Sequence, residues 1–190
     1  MKHNDTSKRL MSAALQRFSE QGYDNTTTKQ IAETAGFNEL TLFRYFGTKA
    51  NLFQELTDYY MIDARVTSLL ADIEELDSRE AIRKISQHIN ERYEQNRNLF
   101  KVQMKLKDDA DHLVKLKLSR SLIEELEGYF HQLIAKGIVQ GDPHRMAITF
   151  VAGHLGLFTM DIMNPDLLRD TWGELSAEFV NQFIKTYFHK

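Results

Sequence analysis

Apolar residues recur at helical spacing through most of the chain, and nowhere do they alternate with a period of two between turn residues. Leu10, Met11, Ala14, Leu15 and Phe18 share one face of a segment predicted as a helix over Asp5–Gln21, and Gly22 suits the left-handed position after its last turn. Thr26, Thr27 and Thr28 offer N-caps for a second helix, with Gln30 at capping-box spacing from Thr27. That helix buries Ile31 and Ala32, runs to about Ala35 and ends at Gly36. Asn38 caps a third, Glu39 to Tyr45 or Phe46, whose Leu42 and Phe46 lie four residues apart and face inward. Gly47 breaks it, and Thr48 caps a fourth helix predicted to reach about Leu70.

From Gly47 to Gly128 the chain passes 80 residues without Gly or Pro, rich in Leu, Glu, Lys and Arg, which predicts long helices. The expected spans are Ser78–Gln95, Arg97–Lys107, Asp109–Lys136, Pro143–Met163 and Leu167–Phe188. The stretch Met146–Met163 is apolar on all sides, with Gly153 and Gly156 allowing close helix approach. Leu175, Phe179, Phe183 and Tyr187 form a stripe at i, i+4 spacing. Two such helices would pair with those of a two-fold mate in a four-helix interface. The expected class is all-α. Four capped helices in residues 1–50 imply a small, tightly folded head, and residues 51–190 a longer helical body.

The absence of cysteine among 190 residues excludes disulfides, thiolate metal sites and cysteine nucleophiles. A net charge of −3 argues against a general polyanion binder, but the charge is uneven. Residues 1–50 carry seven Lys/Arg against five Asp/Glu, so nucleic-acid contact is expected near the N-terminus. The opening MKHNDTSKRL lacks the apolar run of a secretory signal. The longest uncharged apolar run, Met146 to Met160, has fifteen residues against the ~20 that span a bilayer. A cytoplasmic protein with no membrane partner is expected.

Enzyme chemistry finds little support. The seven histidines include no H-E-x-x-H, and neither a phosphate-binding glycine loop nor a nucleophile elbow occurs. Asp108, Asp109, Asp111 and His112 could be read as a hard-metal cluster, but consecutive carboxylates at a helix start serve the dipole and cap. No catalytic residue, metal or cofactor is expected.

The segment Thr26–Phe53, TTTKQIAETAGFNELTLFRYFGTKANLF, reads as helix, glycine turn and short helix. In a helix-turn-helix the first helix braces the second, which lies in the major groove. With Leu42 and Phe46 inward, Glu39, Thr41, Arg44 and Tyr45 point outward. Arg44 can read guanine O6 and N7 or hold a phosphate. Thr27, Thr28, Tyr45 and Lys49 can donate to phosphates, and the helix starts at Thr28 and Thr48 add positive dipole ends.

The run T-T-x-x-I-A-x-x-A-G-F followed by T-L-F-R-Y-F-G-T-K-x-x-L-F resembles the DNA-binding domain of TetR-family transcription regulators, over about residues 8–55. The resemblance implies a homodimer that binds a palindromic operator in double-stranded DNA through its heads. It implies an N-terminal three-helix helix-turn-helix head, a C-terminal helical bundle that dimerises and binds a small-molecule effector, and repression until that effector is bound. By position, Thr41, Arg44, Tyr45 and Lys49 match family DNA contacts, as does Thr27 or Thr28. Glu39 and Leu40 fall where family members place base-contacting or small residues, and Phe43 where tyrosine is common. Candidate pocket residues are Phe100, Met104, Tyr129, Phe150, His154 and Phe158, and the scarcity of charge among them suits an apolar or amphipathic effector. The alternative is a helix-turn-helix regulator that answers to a protein partner, or to nothing.

Overall fold

The structure, a computed structural model, describes residues 4–61, 69, 73, 75–106, 113–168 and 171–189, with backbone alone at 61 and 113–119. Among these residues there are nine helices and no strand. They are α1 (Asp5–Gln21), α2 (Thr28–Ala35), α3 (Glu39–Phe46), α4 (Lys49–Met61), α5 (Ser78–Gln95), α6 (Arg97–Lys105), α7 (Leu113–Ala135), α8 (Pro143–Met163) and α9 (Trp172–Tyr187). The all-α expectation is met. The chain forms two compact units, residues 1–63 with 96–115, and residues 64–95 with 116–190. Helix α6 therefore belongs with the N-terminal helices, although four helices precede α5 in the chain.

The helix ends follow from their sequences. Asn4 caps α1 by accepting from the Ser7 amide, and Thr27 and Gln30 form a reciprocal capping box at α2. Asn38 caps α3 through the Thr41 amide. Gly36, at φ 76°, takes the left-handed turn between α2 and α3, a conformation that costs an L side chain energy. Arg9 closes this turn from α1. Its guanidinium donates to the Ala35 carbonyl at 2.9 Å and lies 4.8 Å from the Phe37 ring centre.

The core of the first unit joins Leu10, Met11, Ala14 and Phe18 of α1 to Ile31, Leu42, Phe46, Leu52 and Leu56, with Leu99 and Val102 of α6 completing it. Each fully buried side chain of this size contributes about 1.5–3 kcal/mol. Phe18, Tyr23 and Phe53 form an aromatic triad with centroids 5.2–5.7 Å apart. Lys105 of α6 donates to the Ser19 and Glu20 carbonyls at 2.6 and 3.2 Å, capping the last turn of α1 with a cation.

Three expected boundaries move. The Leu167–Phe188 helix begins only at Trp172, because Thr171 and Glu174 form a capping box and residues 165–167 turn instead. At its far end Phe188 leaves the helix and pairs with Val139 in an isolated antiparallel bridge. Helix α6 stops at Lys105, since Leu106 is extended. The predicted end of the fourth helix near Leu70, and the cluster Asp108, Asp109, Asp111 and His112, lie outside the described residues.

In the second unit α8 packs on α5 and α9. Phe150 lies 5.0 Å from Phe183 and 6.4 Å from Phe130, and Phe158 lies 5.1 Å from Trp172 (centroid distances). Glycine is required at 153, where any β-carbon would sit under 3 Å from the Phe179 ring. Helix α8, at 21 residues, is long and apolar enough to cross a bilayer by length and composition, and a third of its most apolar window is buried in this unit. It outruns the fifteen-residue uncharged stretch because the helix also takes in Pro143–Arg145 and Asp161–Met163.

One polar network crosses this apolar core. His154 Nδ1 and the Phe150 carbonyl oxygen are 2.7 Å apart, Nε2 and the Ser86 hydroxyl 2.7 Å. Ser86 approaches Ser176 at 3.4 Å, and Ser176 bonds the Asn90 amide at 3.0–3.1 Å. Desolvation pushes the imidazole down to about 4, only partly opposed by the Phe150 carbonyl. A folded-state value below the ordinary 6.5 means that the fold favours the neutral ring. The stability this confers is complete above pH 6.5 and is lost as pH falls toward 4. Denaturant unfolding at pH 7 and 4.5 is expected to show the wild type losing roughly 2–3 kcal/mol more than His154→Gln, carboxylate effects being common to both. Equal losses would mean that the imidazole is not held neutral.

Candidate nucleic-acid interface

Helix α3 buries one face and turns the other outward. Leu42 and Phe46 anchor it in the core, while Leu40 is 78% exposed, Phe43 42% exposed, and Arg44 lies in solvent. Exposed aliphatic and aromatic side chains beside an arginine, on a helix braced by another, can meet base edges: thymine methyls for the first, guanine for the second.

Of the predicted contacts, Thr27 is exposed and tied to Gln30 by the capping box. Thr28 donates its hydroxyl to the Glu39 carboxylate at 2.5 Å, joining the N-termini of α2 and α3. Glu39 is thereby aimed by Thr28. Thr41 donates its hydroxyl to Asn38 Oδ1 at 2.9 Å and is half-buried. Tyr45 accepts from the Asn4 amide at 2.9 Å. Asn4 first, then Thr6 and Arg44, hold its phenol below the ordinary value by stabilising the charged oxygen. The Arg44 guanidinium carbon lies 5.5 Å from the Tyr45 ring centre.

Lys49 is turned inward. Its ammonium donates to the Tyr23 and Thr26 carbonyls at 2.9 and 3.0 Å and sits 4.3 Å from the Tyr23 ring centre. It clasps the α1–α2 connection, leaving one of three N–H groups for another acceptor.

Thr27, Thr28, Glu39, Leu40, Thr41, Arg44, Tyr45 and Lys49 thus all belong to one unit, on α2, α3 and the start of α4. The sequence does not disclose Asn4, which fixes Tyr45, or Arg9, which fixes the turn; both act across 26 residues or more. The shared helical face of Arg9 with Thr6 and Ala13 carries no signal for such a partner.

The six predicted effector contacts are divided between the two units. Phe100 and Met104 lie on α6 in the first unit, Tyr129, Phe150, His154 and Phe158 in the second. Phe150, His154 and Phe158 have no exposed surface and are closed in by Phe179, Phe183 and Trp172. Tyr129 is half-buried, and burial followed by the Asp77 charge raises its phenol.

The family model described as "Bacterial regulatory proteins, tetR family" matches residues 10–56, the whole of this interface except the first turn of α1. The HTH-type transcriptional regulator YvkB of Bacillus subtilis (strain 168) is 29% identical over 168 residues, covering 80% of this chain and 81% of its own. Among solved structures, NalD, the secondary repressor of the MexAB-OprM multidrug efflux pump in Pseudomonas aeruginosa, superposes with a TM-score of 0.75 at 19% identity, over 97% of this chain and 98% of its own. The SmeT–triclosan complex superposes with a TM-score of 0.74 at 17% identity, over 98% and 93%. These likenesses extend the shared fold through the helices after residue 56. With a capped brace, a glycine turn and an outward α3 at the family's spacing, residues 10–56 carry the DNA-binding domain described for bacterial regulatory proteins of the tetR family.

Proposed function

We propose that the protein is a homodimeric repressor that binds a palindromic operator through α3 and releases it when a small apolar or amphipathic molecule binds residues 51–190. The observation that carries the DNA reading is the outward face of α3, with Leu40, Phe43 and Arg44 presented on a helix whose other face is anchored. In this proposal residues 1–50 read the operator, and α4 and α6 complete their core. Arg44 contacts guanine or phosphate, Glu39 accepts from cytosine N4, and Thr27, Thr28, Thr41, Tyr45 and Lys49 position the phosphates. Arg44→Ala is expected to weaken specific binding by about 1–3 kcal/mol with the fold unchanged. Lys49→Ala should weaken binding to all sequences and lower the salt dependence by about one charge per subunit. Unchanged affinity of both variants at two salt concentrations would remove α3 and α4 from the DNA surface.

A two-fold dimer suits the outward side of α8. Ile148, Ala152, Gly156 and Met160 recur every four residues there, with Ile148 42% and Met160 50% exposed, and Met163 extends the stripe at 62%. A β-carbon at Gly156 would meet nothing within 4 Å, so the helix backbone is open to a close neighbour at that point. A second copy would cover this stripe, with Leu175 and Phe179 of α9 at its edge. Its two heads would meet half-sites about one turn (~34 Å) or a multiple apart. Gly156→Trp or Met160→Glu is expected to give monomers by sedimentation that bind operator poorly; a wild type that sediments as a monomer at micromolar concentration would contradict the dimer.

Effector control rests on the size of the second unit, which DNA contact does not require, and on the triclosan-bound state of the SmeT neighbour. Tyr129, Phe150, His154 and Phe158, all in the second unit, are the proposed contacts. Since Phe150, His154 and Phe158 are sealed, an effector reaching them must part the helices around α8, and that is how it would favour a DNA-incompetent arrangement. The expected coupling is about 1–3 kcal/mol, with operator DNA weakening effector binding by the same factor. A thermal-shift screen of apolar and amphipathic compounds followed by operator titration tests it. Compounds that stabilise the protein but leave operator affinity unchanged would favour control by a protein partner.

A further inference from the structure

Within the second unit, α5 and α9 border a groove of about 330 Å³ that includes none of the six aromatic, methionine and histidine positions above. Helix α5 lines it with Arg83, Ser86, Gln87 and Asn90, which share one helical face. Opposite them α9 presents Gly173, Ala177 and Asn181. Those two small residues keep the groove open: a β-carbon on Gly173 would meet only the Thr171 hydroxyl, at 3.9 Å. Among the described residues no carboxylate lines the groove. Glu91, one turn beyond Gln87, accepts from the Gln87 amide at 3.0 Å, and among the described residues no acid pairs with Arg83.

Proton accounting fixes what the floor of this groove offers. The Phe150 carbonyl can only accept, so His154 Nδ1 carries the hydrogen and donates it across 2.7 Å. The neutral ring then has only a lone pair at Nε2, and Ser86, 2.7 Å away, must donate to it. Ser86 is 4% exposed and lines the groove with its proton already committed, so it presents lone pairs alone. Ser176 does not saturate them, since it lies 3.4 Å away and is bonded to Asn90 at 3.0–3.1 Å. The floor accepts, while the wall donates through a guanidinium and side-chain amides.

We propose that this groove binds a small hydroxy acid, its carboxylate on Arg83 and Asn181 and its hydroxyl donating to Ser86. A guanidinium fits a carboxylate in two parallel hydrogen bonds. One cation balances one negative charge, which favours a carboxylate over a phosphate dianion. An ammonium in place of the hydroxyl would face Arg83 with no acid to compensate it, which disfavours an amino acid. Positions 83 and 86 are helix neighbours, with β-carbons about 5–6 Å apart. That spacing suits a carboxyl and a hydroxyl separated by one or two carbons, leaving the alkyl end over Ala177 and Val180. The site is independent of whether an effector releases DNA.

Titration of the full-length protein with 3-hydroxyhexanoate, followed by NMR shifts of the Gln87, Asn90 and Asn181 side-chain amides, tests the site. Hexanoate lacks the hydroxyl and 1,3-hexanediol the carboxylate, and each is expected to bind about tenfold or more weakly. Arg83→Gln should remove the preference for the acid over the diol, and Ser86→Ala that for the hydroxy acid over hexanoate. Ala177→Leu, at an exposed position, should abolish binding by filling the groove while leaving the far-UV circular dichroism unchanged. No saturable shift at millimolar 3-hydroxyhexanoate, equal binding of hexanoate, or binding that survives both Arg83→Gln and Ala177→Leu would overturn the assignment. Because the readout is binding and not operator release, such a result would leave the repressor proposal standing.

Discussion

The helix that faces outward from the first unit, α3, has eight residues, below the ~12–15 that hold a helix in water unaided. Its order must come from elsewhere, and the unit is arranged to supply it. Asn38 caps its first turn, Thr28 ties down Glu39, Leu42 and Phe46 are buried, and Asn4 holds Tyr45 at its last turn. Each tie contributes about 0.5–2 kcal/mol. Together they fix the helix at both ends and along one face, leaving a rigid outward side. A rigid reader loses less conformational entropy on meeting DNA than one that must fold there.

The second unit meets the opposite difficulty. Helix α8 is so uniformly apolar that hydrophobic burial alone does little to choose its rotation. Two features choose it. Gly153 admits the Phe179 ring where no other residue would, and the His154 chain through Ser86, Ser176 and Asn90 ties α8 to α5 and α9 at one register. A wrong rotation would leave the imidazole buried without partners, at a cost of about 1–3 kcal/mol per unsatisfied group. Polar atoms thereby specify the geometry that apolar ones stabilise.

Local chemistry made the first fifty residues legible. Thr27, Asn38 and the glycines after α1, α2 and α3 act within a few positions of themselves, so their spacing alone marks those ends. The start of α9 at Trp172, after the turn at residues 165–167, rests on the Thr171–Glu174 capping box, a local signal of the same kind. Arg9, Lys49 and Lys105 act on carbonyls 26, 23–26 and 85–86 residues away, and no pattern along the chain reveals such partners. The division of the effector candidates between two units was hidden for the same reason. Membership of α6 in the first unit depends on Leu99 and Val102 meeting α1, a tertiary fact.

Cations tied to backbone carbonyls change what the charge count means. Seven Lys/Arg against five Asp/Glu in residues 1–50 suggests a basic surface, yet several of these cations serve the fold. Arg9 binds the end of α2, Arg17 donates to Thr34 at 2.8 Å, and Lys49 commits two of its three N–H groups to the α1–α2 connection. Among the described residues of that segment, Lys8 and Lys29 remain exposed without such ties, and Arg44 is exposed beside the Tyr45 ring. Nonspecific attraction to DNA scales with phosphates neutralised, each contributing about 0.9 to the salt slope. A head with few outward cations, an outward Leu40 and Phe43 and a Glu39 aimed by Thr28 therefore draws less on charge. In the complex proposed above, discrimination comes from contacts with base edges, where a misplaced carboxylate or an unmet apolar side chain penalises the wrong sequence more than a phosphate contact rewards the right one.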